Sequence, residues 1–183
     1  MEADYENAVK TAGSGLELLK KMEASHGTHL PRKGSDLVSS FYLSDLFFRV
    51  RMAFQIALSV SLVKLFPPKH HVQALAILSD VLAQDPNNIP CLMSHGCILQ
   101  HSNLWSEAEN LFKRVGELEP DHNVALEARE ERAWCIIQAG RLDEGGAELK
   151  EVVQALDDEE GKEEQKARAW WRLGKSFWKS GGT

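Results

Sequence analysis

From Ile89 to Pro120 the chain reads IPCLMSHGCILQHSNLWSEAENLFKRVGELEP, and this stretch decides the fold because it matches its own upstream neighbour at one fixed offset. Pro120 follows Pro86 by thirty-four residues, and the same offset relates Ala108 to Ala74, Phe112 to Leu78 and Val115 to Val81. Four pairs of matched type at a single spacing indicate an internal repeat. In each unit the alanine stands four residues before the large side chain and seven before the valine, so all three share one helical face. The small residue lets that helix approach a partner closely. Proline then ends the helix or opens the next one, because it interrupts the hydrogen-bond ladder and biases its predecessor away from the α region. Each unit therefore reads as helix, tight turn, helix, connection.

These residues resemble the tetratricopeptide repeat family. Leu92, His95-Gly96 and Leu99 occupy the first-helix signature, and Trp105, Ala108, Phe112, Val115 and Pro120 the second. Leu92 and His95 depart from the family's usual Trp and Leu. A third unit follows with about three extra residues in its connection, since Gly140-Arg141-Leu142-Asp143-Glu144-Gly145 aligns on Asn103-Leu104-Trp105-Ser106-Glu107-Ala108. Its first helix runs through Leu126, Ala133 and Ile136, and Leu149 and Val152 replace Phe112 and Val115. Gly140 supplies a left-handed turn, while Gly145 in place of alanine weakens its helix slightly. Trp170, Leu173-Gly174 and Phe177, with Gly181 at the turn, read as the first helix of a fourth unit without its second, so the chain reads as a fragment cut mid-repeat.

The organisation expected is a second helix of a preceding repeat over 1–25, a loop and irregular or inserted apolar segment over 26–54, and repeats over 55–88, 89–122 and 123–157. An acidic linker follows over 158–166 and a truncated first helix over 167–183. The stretch Val38–Met52 fits no repeat position. The fold class is all-α, and the resemblance implies a solenoid that winds as a right-handed superhelix. The packing positions are Ala74, Leu78, Val81, Pro86, Gly96, Trp105, Ala108, Phe112, Val115, Pro120, Ala133, Gly145, Leu149, Trp170, Leu173, Gly174 and Phe177, with Trp105 and Trp170 expected in the core. By resemblance the concave face carries Met93, Cys97, Gln100, Glu130, Trp134, Ile137 and Trp171, a mixed and largely apolar groove suited to peptides or partner helices.

Composition narrows the function. Across 183 residues, 43% are hydrophobic and 26% charged, which is the balance of a core-forming chain. Twenty-one Lys and Arg against twenty-seven Asp and Glu leave a net charge of −6, which argues against strong direct nucleic-acid binding. Three cysteines are too few and odd in number for a disulfide framework, so a reducing compartment is expected. Residues 1–10 lack the apolar core of a secretory signal. Asp45, Arg49, Arg51 and Lys64 interrupt the apolar segment Leu37–Phe66, and no membrane association is expected.

Chemistry is sparse as well. Cys91, His95, Cys97 and His101 lie along one helix without a second cysteine pair, so they read as packing side chains and not as a metal site. His70 and His71 read as solvated. Gly13-Ser14-Gly15 lacks the lysine and the strand-to-helix setting of a phosphate loop, and no cysteine has an evident base beside it. No enzyme, cofactor or small-molecule substrate is expected. The run Asp157-Asp158-Glu159-Glu160 reads as a solvated linker. Chaperone-binding members of the family hold a terminal carboxylate with a set of Lys and Asn residues, and here Arg129 and Arg132 alone cannot build that clamp.

A narrower resemblance rests on Leu62–His71, Asn88–Met93 and Glu130–Cys135, which are similar to the fungal tetratricopeptide scaffolds of superkiller complexes. It implies a cytoplasmic scaffold, with the nucleus as a second compartment, that holds an RNA helicase and WD40-propeller subunits and supports messenger RNA decay by the exosome. The alternative is a general peptide-binding repeat module such as a chaperone adaptor.

Overall fold

In the computed structural model, residues 2–26, 34–65, 67–118, 122–157, 160–179 and 181 are described, and every element among them is an α-helix. The helices fall into two compact units, Met1–Cys91 and Leu92–Thr183. Pro120 and most of the loop expected after His26 lie outside the described residues.

The first unit holds α1 (Glu2–His26), α2 (Gly34–Lys64) and α3 (His71–Gln84). Helix α3 buries Ala74, Leu78 and Val81 completely, as one-face spacing requires. Helix α2 packs against both α1 and α3 and contributes Leu58, Leu62 and Val63 to the core, while α1 contributes Ala12 and Leu19. Arg51 of α2 pairs with Glu23 of α1. His71, expected to be solvated, is buried at 7% exposure.

The segment 26–54 corrects the sequence reading. From Gly34 onward it is regular helix, continuous with the repeat segment that follows. Apolar side chains lie all round this helix, so it has no 3.6-residue stripe to read. Asp45 and Arg49 are exposed and pair across one turn at 2.9 Å, while Arg51 faces α1. Tyr42–Lys64 has the length and composition of a bilayer-crossing helix, with a mean hydropathy of 1.6, despite those interruptions.

The second unit comprises α4 (Ile89–His101, from Leu92 on), α5 (Trp105–Leu118), α6 (His122–Gln138), α7 (Leu142–Asp157) and α8 (Glu163–Lys179). The tight turns after α4 and α6 each contain a left-handed residue, Asn103 at φ 59° and Gly140 at φ 90°. One core surrounds Ala108, Phe112 and Cys135, with Met93, Cys97, Leu99 and Trp105 packed on it. A second joins Ala133, Ile137, Leu149, Val152, Leu156, Ala169 and Leu173. The acidic linker is shorter than the sequence implies, because Glu163 to Lys166 belong to α8, and Lys166 pairs with Asp157 at 2.9 Å.

Gly145 has a stronger reason than the sequence offered. A Cβ there would lie 2.6 Å from Ile137 Cγ1 and 2.7 Å from the Ala133 carbonyl oxygen, so α6 and α7 approach at a distance only glycine permits. Gly145→Ala should therefore destabilise the chain by about 1–3 kcal/mol through overpacking, even though alanine is the better helix former. Gly116→Ala, at an exposed α5 position with nothing near its Cβ, should instead stabilise by about 0.5–1 kcal/mol. Urea denaturation of the two variants checks the contrast, and equal signs would refute the close-approach account.

Candidate partner-binding face

Helices α4, α6 and α8 bring one set of polar and aromatic side chains together within the second unit. Helix α6 places Glu130 and Glu131 side by side, with Trp134 and Cys135 one turn further on, and α8 places Arg168 and Arg172 four residues apart on one face. Arg168 grips Glu130 with both ends of its guanidinium, Nε to Oε1 at 2.8 Å and Nη2 to Oε2 at 2.7 Å. Arg172 donates to Glu130 Oε1 and to both oxygens of Glu131, each at 3.0 Å. Glu130 has no exposed surface, Glu131 is 6% exposed and Arg172 8%. Donation to Glu130 outweighs burial and raises the Arg168 pKa.

The network extends to α4, where Gln100 Nε2 donates to Glu131 Oε2 at 3.0 Å and to Cys135 Sγ at 3.3 Å. Above it lie the indoles of Trp134 and Trp171, with ring centroids 5.9 Å apart and planes tilted by 40°. Arg172 sits over the Trp134 ring at 5.5 Å and Lys175 over Trp171 at 4.3 Å. The result is an aromatic surface fixed from beneath by buried ion pairs. Among the described residues no cluster of three or more His, Cys, Asp or Glu is placed to hold a metal.

Of the residues expected on the concave face, Gln100, Trp134 and Trp171 meet here, while Met93 and Cys97 are half-buried along α4. Glu130 and Ile137 are not groove-lining: the first is sealed in the ion network, and the second, 1% exposed, belongs to the α6–α7 core. The packing positions of α8 divide in the same way. Leu173 is buried at 4%, but Trp170 and Phe177 are 52% and 51% exposed and Gly174 is exposed too, because α6 and α7 cover only one face of α8. Trp170 is thus outside the core that the sequence assigned to it. Trp105 is half-buried.

Sequence reasoning missed Arg168, Arg172 and Glu131, whose contacts span 38 to 42 residues. The readable signal was a Glu-Glu pair on one first helix and an Arg pair at one-turn spacing on the next. Arg129 and Arg132, set aside above as clamp residues, are held by Glu151 at 2.7 Å and Glu148 at 3.1 Å.

The thiols of Cys91 and Cys135 are buried, and burial pushes each up to about 11 against the opposing hydrogen bonds from Ser59 and Gln100. A folded-state value above the unfolded 9.0 means that protonated thiol favours folding below pH 9, and that this contribution is lost as pH climbs through about 11. The urea midpoint should therefore drop between pH 9 and 11, and more steeply than in a Cys91→Ala, Cys135→Ala chain. Parallel pH profiles for the two chains would contradict this.

No family model matches the chain. Superkiller protein 3 of Schizosaccharomyces pombe is 24% identical over 171 residues, covering 93% of this chain and 11% of that protein. The chain thus spans about a tenth of the relative's length. Among solved structures, a Podosopora anserina protein described as a kinesin light chain with nearly identical TPR-like repeats superposes with a TM-score of 0.57 at 16% identity, covering 98% of this chain and 86% of that one. Helix pairing, the small-to-large contacts within the pairs and this structural likeness agree: the chain is an all-helical α-solenoid of the tetratricopeptide-like repeat fold.

Proposed function

We propose that this chain is a non-catalytic segment of a protein-interaction scaffold of the superkiller type, acting in the cytoplasm and supporting messenger RNA decay by the exosome. The observation that carries the reading is the similarity to Superkiller protein 3 along 93% of the chain. The described helices supply what such a role needs, an exposed aromatic surface seated on buried ion pairs. Met93, Cys97, Gln100, Trp134 and Trp171 lie on the first helix of successive pairs, the side from which repeat solenoids of this kind hold partners. An RNA helicase and a WD40-propeller protein are the partners this reading names. Rigid, half-exposed indoles suit such contacts, because tryptophan supplies large contact area with little side-chain entropy to lose.

Affinity purification of the tagged chain from a fungal lysate at moderate salt, followed by mass spectrometry, tests the reading. Joint recovery of an RNA helicase and a WD40 protein is expected. Recovery of chaperones, or of neither partner, would overturn it in favour of a general peptide-binding module.

A further inference from the structure

Trp171, Lys175, Trp178 and Lys179 stand at one-turn and two-turn spacings along a single face of α8. All four are exposed, Trp171 at 56% and Trp178 at 85%. The cations beneath this stripe are spent, because Arg168 and Arg172 are neutralised by Glu130 and Glu131. Lys175 and Lys179 are not: one lies over the Trp171 ring, the other donates to Gln138 Oε1 at 2.9 Å, and neither meets a carboxylate among the described residues. In a chain of net charge −6, two ammonium groups that meet no described carboxylate, set beside exposed indoles, form a locally cationic surface.

We infer that this stripe docks an internal acidic segment of a partner protein, one carrying an apolar side chain and side-chain carboxylates at alternate positions. The inference rests on the scaffold reading above and names the chemistry of its partner. Lysines four apart on a helix are separated by about 6 Å along the axis, close to the roughly 6.6–6.8 Å that two residues of an extended chain advance. Carboxylates two residues apart can therefore meet Lys175 and Lys179 while an apolar side chain two residues further along covers Trp171. Charge complementarity selects the sign of the occupant, and the indoles give it an anchor to bury. A nucleic-acid strand fits less well, since it draws affinity from many phosphate contacts, and Glu163 and Glu164 stand in the first turn of the same helix.

Fluorescence anisotropy on the full chain tests this with a labelled peptide, acetylated and amidated, that carries one leucine followed by glutamates at alternate positions. Saturable binding is expected, weakened at least about tenfold by Lys175→Glu with Lys179→Glu, and weakened also by Trp171→Ala. Lys113→Glu, at an exposed ion pair with Glu117 on α5, should change affinity by no more than about twofold. Circular dichroism of each variant controls for folding. Equal binding of a lysine-for-glutamate peptide, tighter binding of oligouridylate, or a requirement for a free C-terminal carboxylate would each overturn the proposal. If the lysate capture recovers helicase and propeller protein equally well with the double lysine variant, this inference fails and the scaffold reading stands; if the unaltered chain captures neither, the scaffold reading fails by itself.

Discussion

Glu130→Ala should cost the second unit about 3–5 kcal/mol, as expected when one member of a buried ion network is deleted and its partners keep their charge. Glu130 is the hinge of that network: it has no exposed surface and takes three hydrogen bonds from two arginines. Its loss leaves Arg172, itself only 8% exposed, with Glu131 alone, and frees Arg168 to turn toward solvent. Helix α8 then keeps the Arg172–Glu131 pair, the Trp134–Trp171 contact and the burial of Ala169 and Leu173, and its N-terminal half should show faster amide exchange. Glu130→Gln keeps the shape and part of the hydrogen bonding, so its cost should be smaller. Urea denaturation measures both, and a cost below about 1 kcal/mol for the alanine variant would show that the pairs contribute as little as surface bridges do. The buried pairs need not raise stability above that of an apolar replacement. What they provide is one fixed orientation of α8, which sets where Trp171 lies.

Phe112→Ala should cost a similar amount, about 3–5 kcal/mol, because the ring is 1% exposed and the helices around it cannot collapse fully into the space. The ring fills the position that a Cβ on Gly96 would occupy, 2.5 Å from Cζ. The two residues should therefore couple. Gly96→Ala alone should destabilise by overpacking, about 1–3 kcal/mol, whereas in the Phe112→Ala background it should be neutral or favourable. A double-mutant cycle in urea reads the coupling directly, and additivity within about 0.5 kcal/mol would contradict it.

The parts of this fold that sequence made legible are those where local pattern and packing agree. Ala74, Leu78 and Val81, and likewise Ala108, Phe112 and Val115, are fully or almost fully buried because second helices with one apolar face have a single way to pack. Helix α2 was illegible for the opposite reason. Leu, Phe, Val and Met surround it, so neither period nor boundary shows, and the part expected to be irregular is helix. Its first half leaves Tyr42, Leu43, Leu46 and Phe48 exposed, while its second half is enclosed between α1 and α3.

At the candidate face, Gln100, Trp134 and Trp171 follow from resemblance alone, since each first helix offers the same positions. Burial at those positions does not follow, because it depends on how closely α6 approaches α7 and α8. Ile137 is drawn inward by the absence of a side chain on Gly145, and Glu130 by two arginines about forty residues away. Such contacts arise only once the helices are stacked, so no local pattern encodes them.

We propose the α6–α8 face, seated on its ion network, as the surface that holds a partner. Hydrogen–deuterium exchange of the chain, alone and with the helicase or propeller protein it captures, tests this most directly. New protection should concentrate on the outward residues of α6 and α8, around Trp134 to Gln138 and Arg168 to Lys179, and be lost in Trp171→Ala. Protection confined to the exposed half of α2 around Tyr42 to Phe48, with α6 and α8 unchanged, would contradict it.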